Sequence, residues 1–363
     1  MLTEVPVREL SAPIERRVGL CSIAAALALA ACANHPASAD GGSPDAGDGD
    51  AGDGGAGDGG AGDGGAGDGG AGDGGAGDGG AGDGGAHKPW AAFYGKASAM
   101  GDLDQAAATF HLLDLDADPG AGNFTLAQIA RLRASGATVI SYLNVGACES
   151  FRSYWTNTGA AGPLPCGANT AAQLGPYAGY PDETWMDLGD PDYQALILNY
   201  VAPRLIAQGV DGFFLDNLEL VEHGPADTNG PCSAACRQGG LDLVRKLREK
   251  FPQSFIVMQN ATGTVTRNGV TAGMSVPSLL DGIFHEQVYQ PYDSTVEAEL
   301  LAWQSLGLQP RGHAFWIGTE DCVGSCTNAA AARAAFDRSR ANGFDPYATD
   351  ASAGQQQLCY WGF

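Results

Sequence analysis

Two short segments of this sequence end in a carboxylate after the same run of residue types. Asp211–Asp216 and Asp281–Glu286 both start with Asp-Gly, continue with two apolar residues and one further residue, and finish in an acid. Side chains alternate along a β-strand, so the phenylalanine two positions before each acid points to the same face as that acid. If both phenylalanines point into a barrel of parallel strands, Asp216 and Glu286 lie at matching heights on its C-terminal rim, where such barrels have their active sites.

Two carboxyl groups that face each other across a small barrel mouth have the chemistry of glycoside hydrolysis. One group must stay protonated to donate to the leaving oxygen, and the other must be ionised to act as nucleophile or base. We predict Glu286 as the general acid and Asp216 as the nucleophile or base, with the reverse assignment left open. The competing interpretation is structural, because acids at strand ends also cap helices or pair with arginine.

The elements that must position these acids alternate between strands and helices. The candidate strands are Trp90–Tyr94, Phe110–Leu115, Ala137–Val145, Trp185–Leu188, Gly212–Leu215, Ser254–Gln259, Gly282–His285 and Gly312–Ile317. The candidate helices are Leu126–Ser135, Pro191–Gln208 with a kink at Pro203, Leu241–Lys250, Thr295–Leu306 and Asn328–Asn342. This alternation predicts an α/β fold with a mostly parallel sheet, and eight strands in about 277 residues favour a single (β/α)8 TIM barrel.

In this count the two acids end strands five and seven, with one strand between them. Strands two positions apart are separated by about 9–10 Å at the backbone. Inward-leaning side chains then bring the carboxyl groups to about 5–9 Å, which spans both the retaining and the inverting geometry. The stereochemistry is therefore left open.

The charge of the chain is divided between two segments of different character. The 363 residues carry a formal charge of −23, of which residues 1–86 contribute 14 acids and 3 bases and residues 87–363 contribute 28 acids and 16 bases. Ala46–Ala86 is a five-residue repeat rich in Gly and Asp, with no side chain larger than Asp. Because it has no apolar surface to bury, we expect residues 32–86 to be a disordered linker. The acidic domain that follows argues against nucleic acid and favours a cationic partner.

The first 31 residues have the features of a secretory signal peptide. Arg16 and Arg17 precede the apolar run Val18–Ala31, which ends in Leu-Ala-Ala before Cys32. These last residues resemble the lipobox of bacterial lipoproteins, in which Cys32 is lipidated and becomes the mature N-terminus. An ordinary cleaved signal with a coincidental cysteine is the alternative. We expect an exported protein, secreted or anchored to the cell envelope through Cys32, with residues 87–363 as its folded domain.

An exported chain favours disulfides, and cysteine spacing suggests where they form. The remaining cysteines are Cys148, Cys166, Cys232, Cys236, Cys322, Cys326 and Cys359. Their spacings are compatible with pairs 148/166, 232/236 and 322/326, which leave Cys359 single; zinc is the rival interpretation, but no histidine has a matching spacing. The acids Asp114, Asp116 and Asp118 lack the Gly and Glu of a calcium loop, and no glycine-rich nucleotide loop follows a strand. We predict no cofactor and no metal.

The segments around the two acids resemble glycoside hydrolase family 114, the endo-α-1,4-polygalactosaminidases. The similar segments, in the family's order, are Ile140–Gly146 followed by Glu149, Arg152 and Trp155, then Trp185–Asp187, Gly209–Asn217 and Asp281–Gln287. The resemblance implies a (β/α)8 barrel that cleaves α-1,4-linked galactosamine polymers, with the catalytic carboxylates at Asp216 and Glu286. Phe214, Glu219 and Val288 stand where the family commonly has an acid, an Asp and a Cys. These departures concern the subsites rather than the two acids.

Further residues near strand ends are candidates for substrate binding. They are Tyr94, Tyr142, Glu149, Trp185, Asp187, Asn217, Asn260 and Tyr289. Each has a structural alternative: the aromatic side chains can pack in the core or rim instead of stacking on sugars, and Glu149 can pair with Arg152. Asn217 can cap the next helix instead of orienting Asp216, since Asn is favoured at helix N-termini.

Taken together, the sequence predicts a secreted or surface-anchored glycoside hydrolase that cleaves internal α-1,4 linkages in a galactosamine-containing polysaccharide. A deacetylated polymer of this kind is cationic and would be attracted by an acidic domain. One rival is a hydrolase of another exopolysaccharide on the same fold. Another is a non-catalytic glycan-binding surface lipoprotein, which would bind polymer without releasing product.

Overall fold

The computed structural model describes residues 88–350 and 355–363. The strands are, in chain order, β1 Trp90–Phe93, β2 Leu112–Leu115, β3 Thr138–Asn144, β4 Ala147–Glu149, β5 Gln173–Tyr177, β6 Tyr180–Met186, β7 Gly212–Asp216, β8 Phe255–Gln259, β9 Val270–Thr271, β10 Met274–Ser275, β11 Gly282–Glu286, β12 Trp316–Cys322 and β13 Asp345–Thr349. The α-helices are α1 Ala97–Met100, α2 Leu103–Thr109, α3 Leu126–Ala134, α4 Ser153–Thr156, α5 Pro191–Leu196, α6 Ala202–Ala207, α7 Ala234–Lys250, α8 Thr264–Arg267, α9 Ser294–Gln304 and α10 Ala329–Ala341. The expected signal peptide, Cys32 and the linker lie outside the described residues.

Eight of these strands form one parallel sheet, in the order β1-β2-β3-β7-β8-β11-β12-β13. The first and last strands also meet: Trp90 Nε1 on β1 donates to the Asp345 carbonyl on β13 at 3.0 Å, and its ring lies 5.8 Å from that of Tyr347. Eight parallel strands alternating with helices and curved so that their edges meet make a (β/α)8 TIM barrel. The predicted fold class is confirmed.

The interior of the barrel is filled by aromatic side chains. The rings of Phe214 on β7 and Phe284 on β11 lie 5.0 Å apart, and the ring of Trp90 lies 4.9 Å from Phe284. Both phenylalanines therefore point inward, as the sequence predicts. Because residues two apart share a face of a strand, Asp216 and Glu286 follow them on the same inward face, one step nearer the C-terminal rim.

The predicted strand count is right, but one predicted strand is wrong and one barrel strand was not predicted. Trp185–Leu188 is not a barrel strand: Trp185 and Met186 are the last two residues of the antiparallel strand β6, which pairs with β4 and β5 in a separate three-stranded sheet. The eighth barrel strand is β13, which was not predicted because it starts Asp-Pro and carries only a short apolar run. Asp216 and Glu286 consequently end the fourth and sixth barrel strands, and β8 still separates them.

The Asp-Gly pair that starts each of the two similar segments has a structural role at the opposite end of the barrel. Asp211 Oδ2 accepts from the Val139 backbone N–H at 2.9 Å, and Asp281 Oδ2 accepts from that of Ile256 at 2.8 Å. Each aspartate thus fixes the strand beside its own. Glycine is required next because a Cβ at Gly212 would lie 1.9 Å from the Phe255 carbonyl oxygen.

The predicted helix Pro191–Gln208 is interrupted where Pro203 requires it. Asp190 caps its start by accepting from the Tyr193 backbone N–H, and proline occupies the first helical position. A π-helical turn, Ile197–Val201, then separates α5 from α6. Proline has no N–H to donate to the preceding turn, so the α-helical hydrogen bonding cannot continue there and the chain widens into the π-helical turn.

Three disulfides join described cysteines, at Cys148–Cys166, Cys232–Cys236 and Cys326–Cys359. The first two agree with the spacing argument, whereas the pairing of Cys322 with Cys326 is wrong. The fold brings the C-terminal segment back to the loop after β12, so a cysteine 33 positions away pairs with Cys326. None of the helices formed by the described residues is long and apolar enough to cross a bilayer.

Candidate active site

Asp216 and Glu286 are the last residues of β7 and β11 and lie above the Phe214–Phe284 pair at the C-terminal rim. Both are partly exposed, whereas residues 212–215 of β7 and residues 282–284 of β11 are buried. The strand between them, β8, ends in Gln259. The structure therefore brings the two predicted catalytic acids to the same end of one barrel.

The carboxyl group of Asp216 lies in surroundings that disfavour its charge. Burial raises its pKa to about 7, and the negative charges of Glu286 and Glu149 act in the same direction. Hydrogen bonds from the Tyr142 hydroxyl and the Asn217 backbone N–H oppose the increase by stabilising the carboxylate. Asp216 can thus change its ionisation near neutral pH, as a residue that exchanges protons or charge with a substrate must.

Glu286 is held by the residue that follows the neighbouring strand. Asn260 Nδ2 donates to Glu286 Oε2 at 3.3 Å, and Asn260 Oδ1 accepts from the Glu286 backbone N–H at 3.1 Å. Burial raises the pKa of Glu286, and the side-chain hydrogen bonds from Asn260 and Gln259 oppose this increase. The paired contacts fix both the backbone and the carboxyl group of Glu286.

A third carboxyl group, that of Glu183, reaches the site from the side sheet. Glu183 Oε2 accepts from Asn144 Nδ2 and from Asn217 Nδ2, both at 3.1 Å. Asn217 Nδ2 also donates to Asn144 Oδ1 at 3.1 Å, which closes the network. Burial, followed by the charges of Glu149 and Asp216, raises the pKa of Glu183 to about 8. Asn217 makes no side-chain cap to the following helical turn, so its side chain fixes the surroundings of Asp216 instead.

Three adjacent barrel strands end in the same backbone conformation. Asn217, Asn260 and Gln287 directly follow β7, β8 and β11 and have φ values of 59°, 55° and 54°. Side-chain-bearing residues rarely adopt positive φ, and such residues concentrate at functional sites. The left-handed residue turns the chain sharply at the rim and leaves the preceding residue as the last on the strand.

Gly146 lets the chain pass directly beside Asp216. The Asp216 carbonyl accepts from the Val145 backbone N–H at 3.0 Å, and a Cβ on Gly146 would lie 1.8 Å from the Asn217 carbonyl oxygen. No side chain fits in this space. The glycine of the Asn-Val-Gly segment is therefore required by the close approach of the two loops.

A second group of acids lies on the barrel strands β2 and β12. The Tyr94 hydroxyl donates to Asp114 Oδ2 at 2.5 Å, and Gln355 Nε2 donates to Glu320 Oε2 at 2.5 Å. Glu320 is opposite Glu286 in the register of β11 and β12. Burial raises the pKa of Asp114 and of Glu320 well above the ordinary range, so both carboxyl groups hold their protons more strongly than free side chains.

The other predicted binding residues occupy several kinds of position. Glu149 is 3% exposed and accepts from Arg152 Nε at 2.5 Å, so the salt-bridge alternative describes its contact. Trp185 is 1% exposed, and Asp187 Oδ1 accepts from the Gly189 backbone N–H in the turn before α5. Tyr289 is 4% exposed, and its hydroxyl accepts from Asn342 Nδ2 at 3.0 Å. Of the predicted set, Tyr94, Tyr142, Asn217 and Asn260 make the contacts to carboxyl groups of the rim.

Several residues of the site were not foreseen as site residues from the sequence. They are Asp114, Tyr177, Tyr180, Glu183, Glu219 and Glu320. Asp114 carried a signal, since it is an acid inside the apolar run of β2. Glu320 was missed because the predicted strand ended at Ile317, and Glu183 was missed because the side sheet was not predicted.

A (β/α)8 barrel with two carboxyl groups on next-but-one strands at its C-terminal rim has the architecture of a glycoside hydrolase. The sequence comparison agrees with this class and narrows it. The profile of glycoside-hydrolase family GH114 matches residues 85–297, which is more than half of the chain, and the chain belongs to that family.

One sequence relative and two solved structures are similar to this chain. An uncharacterized protein of Deinococcus radiodurans is 27% identical over 248 residues, covering 67% of this chain and 74% of that protein. The glycoside hydrolase domain of PelA from Pseudomonas aeruginosa has a TM-score of 0.55 at 17% identity, covering 75% of this chain and 97% of that domain. Ega3 of Aspergillus fumigatus, solved with galactosamine, has a TM-score of 0.53 at 16% identity, covering 74% and 93%. At these identities the structural neighbours establish the barrel fold.

Proposed function

We propose that this enzyme hydrolyses internal α-1,4 linkages of a galactosamine-containing polysaccharide, with Glu286 as general acid and Asp216 as nucleophile or base. The observation that carries the proposal is an acidic site without cations. Among the described residues, no lysine or arginine forms an ion pair with Asp216, Glu286, Glu183 or Glu219. An ammonium group on the sugar would supply the missing positive charge.

The raised pKa values of Asp216 and Glu286 also support a substrate that carries an ammonium group. Burial and neighbouring negative charges raise the pKa of Asp216, and burial raises that of Glu286, so both carboxyl groups hold their protons more strongly than they would in water. A bound ammonium group would lower the pKa of the nearest carboxyl and leave it ionised for attack on the anomeric carbon. Glu286 would keep its proton and transfer it to the glycosidic oxygen as the bond to the leaving sugar breaks. Water would then complete hydrolysis and return the proton to Glu286.

A panel of purified polysaccharides tests this function. Partly deacetylated α-1,4-galactosamine polymer, its fully N-acetylated form, chitosan and an uncharged α-1,4-glucan would be incubated with wild type, Asp216→Asn and Glu286→Gln, and products analysed by reducing-end assay and mass. We expect internal cleavage of the galactosamine polymer by wild type and a loss of at least about 10³-fold in each variant. If wild type cleaved only another polymer of the panel, that polymer would replace galactosamine polymer as the proposed substrate. Binding without products would indicate a glycan-binding protein.

The roles of the two acids can be separated with an aryl glycoside whose leaving group needs no protonation. Glu286→Gln should retain much of its activity on such a substrate, because the general acid is then dispensable. Asp216→Asn should remain inactive on it, because attack on the anomeric carbon is lost. The opposite result would reverse the assignment.

The N-terminal sequence leads us to propose export and a lipid anchor on Cys32. The support is the signal-like run and the Leu-Ala-Ala-Cys sequence, which precede the folded domain and the Gly/Asp repeat. Expression of wild type and Cys32→Ala in a bacterial host, followed by fractionation and mass analysis of the mature N-terminus, tests the anchor. We expect the wild-type protein in the membrane fraction with an acylated terminus and the variant outside it.

A further inference from the structure

The tip of the hairpin formed by β5 and β6 carries three aromatic rings in contact. The rings of Tyr177 and Trp185 stack with centroids 4.0 Å apart and an angle of 28° between their planes. The ring of Tyr180 lies 4.5 Å from that of Tyr177. Trp185 is buried, whereas both tyrosines are partly exposed. The buried tryptophan thus supports Tyr177, and Tyr177 in turn contacts Tyr180.

The hairpin is tied to the catalytic rim by its own strand. Three residues after Tyr180, Glu183 accepts from Asn217, the neighbour of Asp216 in the chain. The charges of Glu286, Asp216 and Glu183 all raise the pKa of Tyr180, in addition to the larger effect of burial, so its hydroxyl lies near the catalytic acids. Within the described residues, neither tyrosine hydroxyl has a hydrogen-bond partner in the protein.

A loop residue holds the hairpin tip in place. Asn229 Oδ1 accepts from Trp185 Nε1 at 2.7 Å and from the Ala178 backbone N–H, in the turn between the two tyrosines, at 2.9 Å. One amide oxygen therefore fixes both the supporting tryptophan and the turn. A hairpin tip that served only to connect two strands would not need a hydrogen-bond acceptor that holds both Trp185 and the turn at Ala178.

We infer that Tyr180, with Tyr177 beside it, is a stacking platform for a sugar unit next to the bond that is cleaved, and that this platform determines affinity for the polymer. The apolar C–H face of a pyranose matches an aromatic ring, and a nearby sugar ammonium would meet Glu183 and Glu219 as well as the ring face. Glu219 Oε2 is buried and has no hydrogen-bond partner within the described residues, which leaves an acceptor for this group. The inference rests on the proposed function for the identity of the sugar.

The platform is tested by comparing Tyr180→Phe, Tyr180→Leu and Tyr180→Ala with wild type on the galactosamine polymer. Stacking predicts near-normal behaviour for the phenylalanine variant and, for leucine and alanine, a rise in KM of about tenfold with kcat changed less than about twofold. Asn229→Ala, which removes only the brace, should raise KM in the same direction by a smaller factor. Tyr200→Ala is the matched control, since Tyr200 is a partly exposed tyrosine beneath Arg204 on the outer helical layer. Thermal unfolding would identify variants that fail to fold.

The outcomes separate the platform from the proposed substrate. If wild type cleaves the polymer and both Tyr180→Leu and Tyr180→Ala, shown to be folded, keep its KM, the platform is refuted while the function stands. If wild type does not cleave the polymer, KM cannot be measured, and binding is measured instead by affinity electrophoresis against the polysaccharide panel. Retention of wild type and Tyr180→Phe, but not of Tyr180→Leu, would support a platform for another glycan. If wild type and all the Tyr180 variants were retained equally, or if none of them were retained, the platform would be refuted.

Discussion

Replacing Gly146 with alanine should damage catalysis through a displacement that can be worked out from the structure. The added Cβ would lie 1.8 Å from the Asn217 carbonyl oxygen and 2.6 Å from its carbonyl carbon. Ordinary contact begins at about 3.4 Å, so the segments must separate by roughly 1.5 Å. Asn217 directly follows Asp216, and its side chain bonds Asn144 and Glu183, so the displacement reaches Asp216, the proposed nucleophile or base.

A misplacement of about 1 Å in a catalytic group can lower the rate about 100-fold, and overpacking of this kind costs about 1–3 kcal/mol of stability. We therefore expect Gly146→Ala to remain folded with a lower melting temperature and to lose about 100-fold in kcat on the galactosamine polymer, with KM much less affected. Steady-state kinetics and thermal unfolding measure the two effects.

The matched control is Gly224→Ala, where the nearest atom to the added Cβ is Asp227 Oδ2 at 3.7 Å and the φ angle is not in the left-handed region. This variant should behave as wild type. Normal kcat in a folded Gly146→Ala protein would refute the reasoning, since it would show that the rim tolerates the displacement or that Asp216 is not catalytic.

Three further predictions concern stability. Because the pKa of Asp216 is raised to about 7 in the folded state, the folded protein binds more protons than the unfolded chain between about pH 4 and 7, and stability falls as pH rises through this range. At pH 8 the free energy of unfolding of Asp216→Asn should therefore exceed that of wild type by up to about 4 kcal/mol, with a smaller difference at pH 4. Thermal unfolding at both pH values measures the difference. An equal difference at both pH values would contradict this. Asp281→Asn should cost about 3–5 kcal/mol, because the buried Asp281 pairs with two arginines. Asp104→Asn, at an exposed pair, should change stability little; denaturant titration compares the two variants. Cys326→Ser and Cys359→Ser should each lower stability by about 2–5 kcal/mol, and the double variant should be no worse than either single one if these two cysteines pair.

The acids of the rim bear on the proposed preference for a cationic substrate. Most acids of the domain that are buried away from the rim have cationic partners: Arg152 pairs with Glu149 and Asp116, and Asp281 pairs with Arg248 and Arg311. The acids at the mouth lack such partners among the described residues. A negative potential at this mouth would draw in a polycation and repel an anionic polymer.

The sequence alone was enough to identify the barrel and the two central acids. Strand-helix alternation indicates a parallel sheet, and the period of two along a strand places Asp216 on the same face as Phe214 whatever the rest of the fold does. These patterns are local, and local geometry is set by a few neighbouring residues. The same argument failed for Trp185–Leu188, because a short apolar run looks alike in a barrel strand and in a side sheet.

Only the tertiary structure decided what surrounds the acids. Glu183 meets Asn217 across 34 positions, Asn260 meets Glu286 across 26, and Cys326 meets Cys359 across 33. No periodicity in the sequence links such pairs, since they depend on how strands register and loops fold back. The raised pKa of Asp216 has the same origin, because burial and the charges of Glu286 and Glu149 exist only once the chain has closed the barrel. The sequence by itself determined the fold class and the positions of the two acids that we propose as catalytic, and folding determined the environment around them.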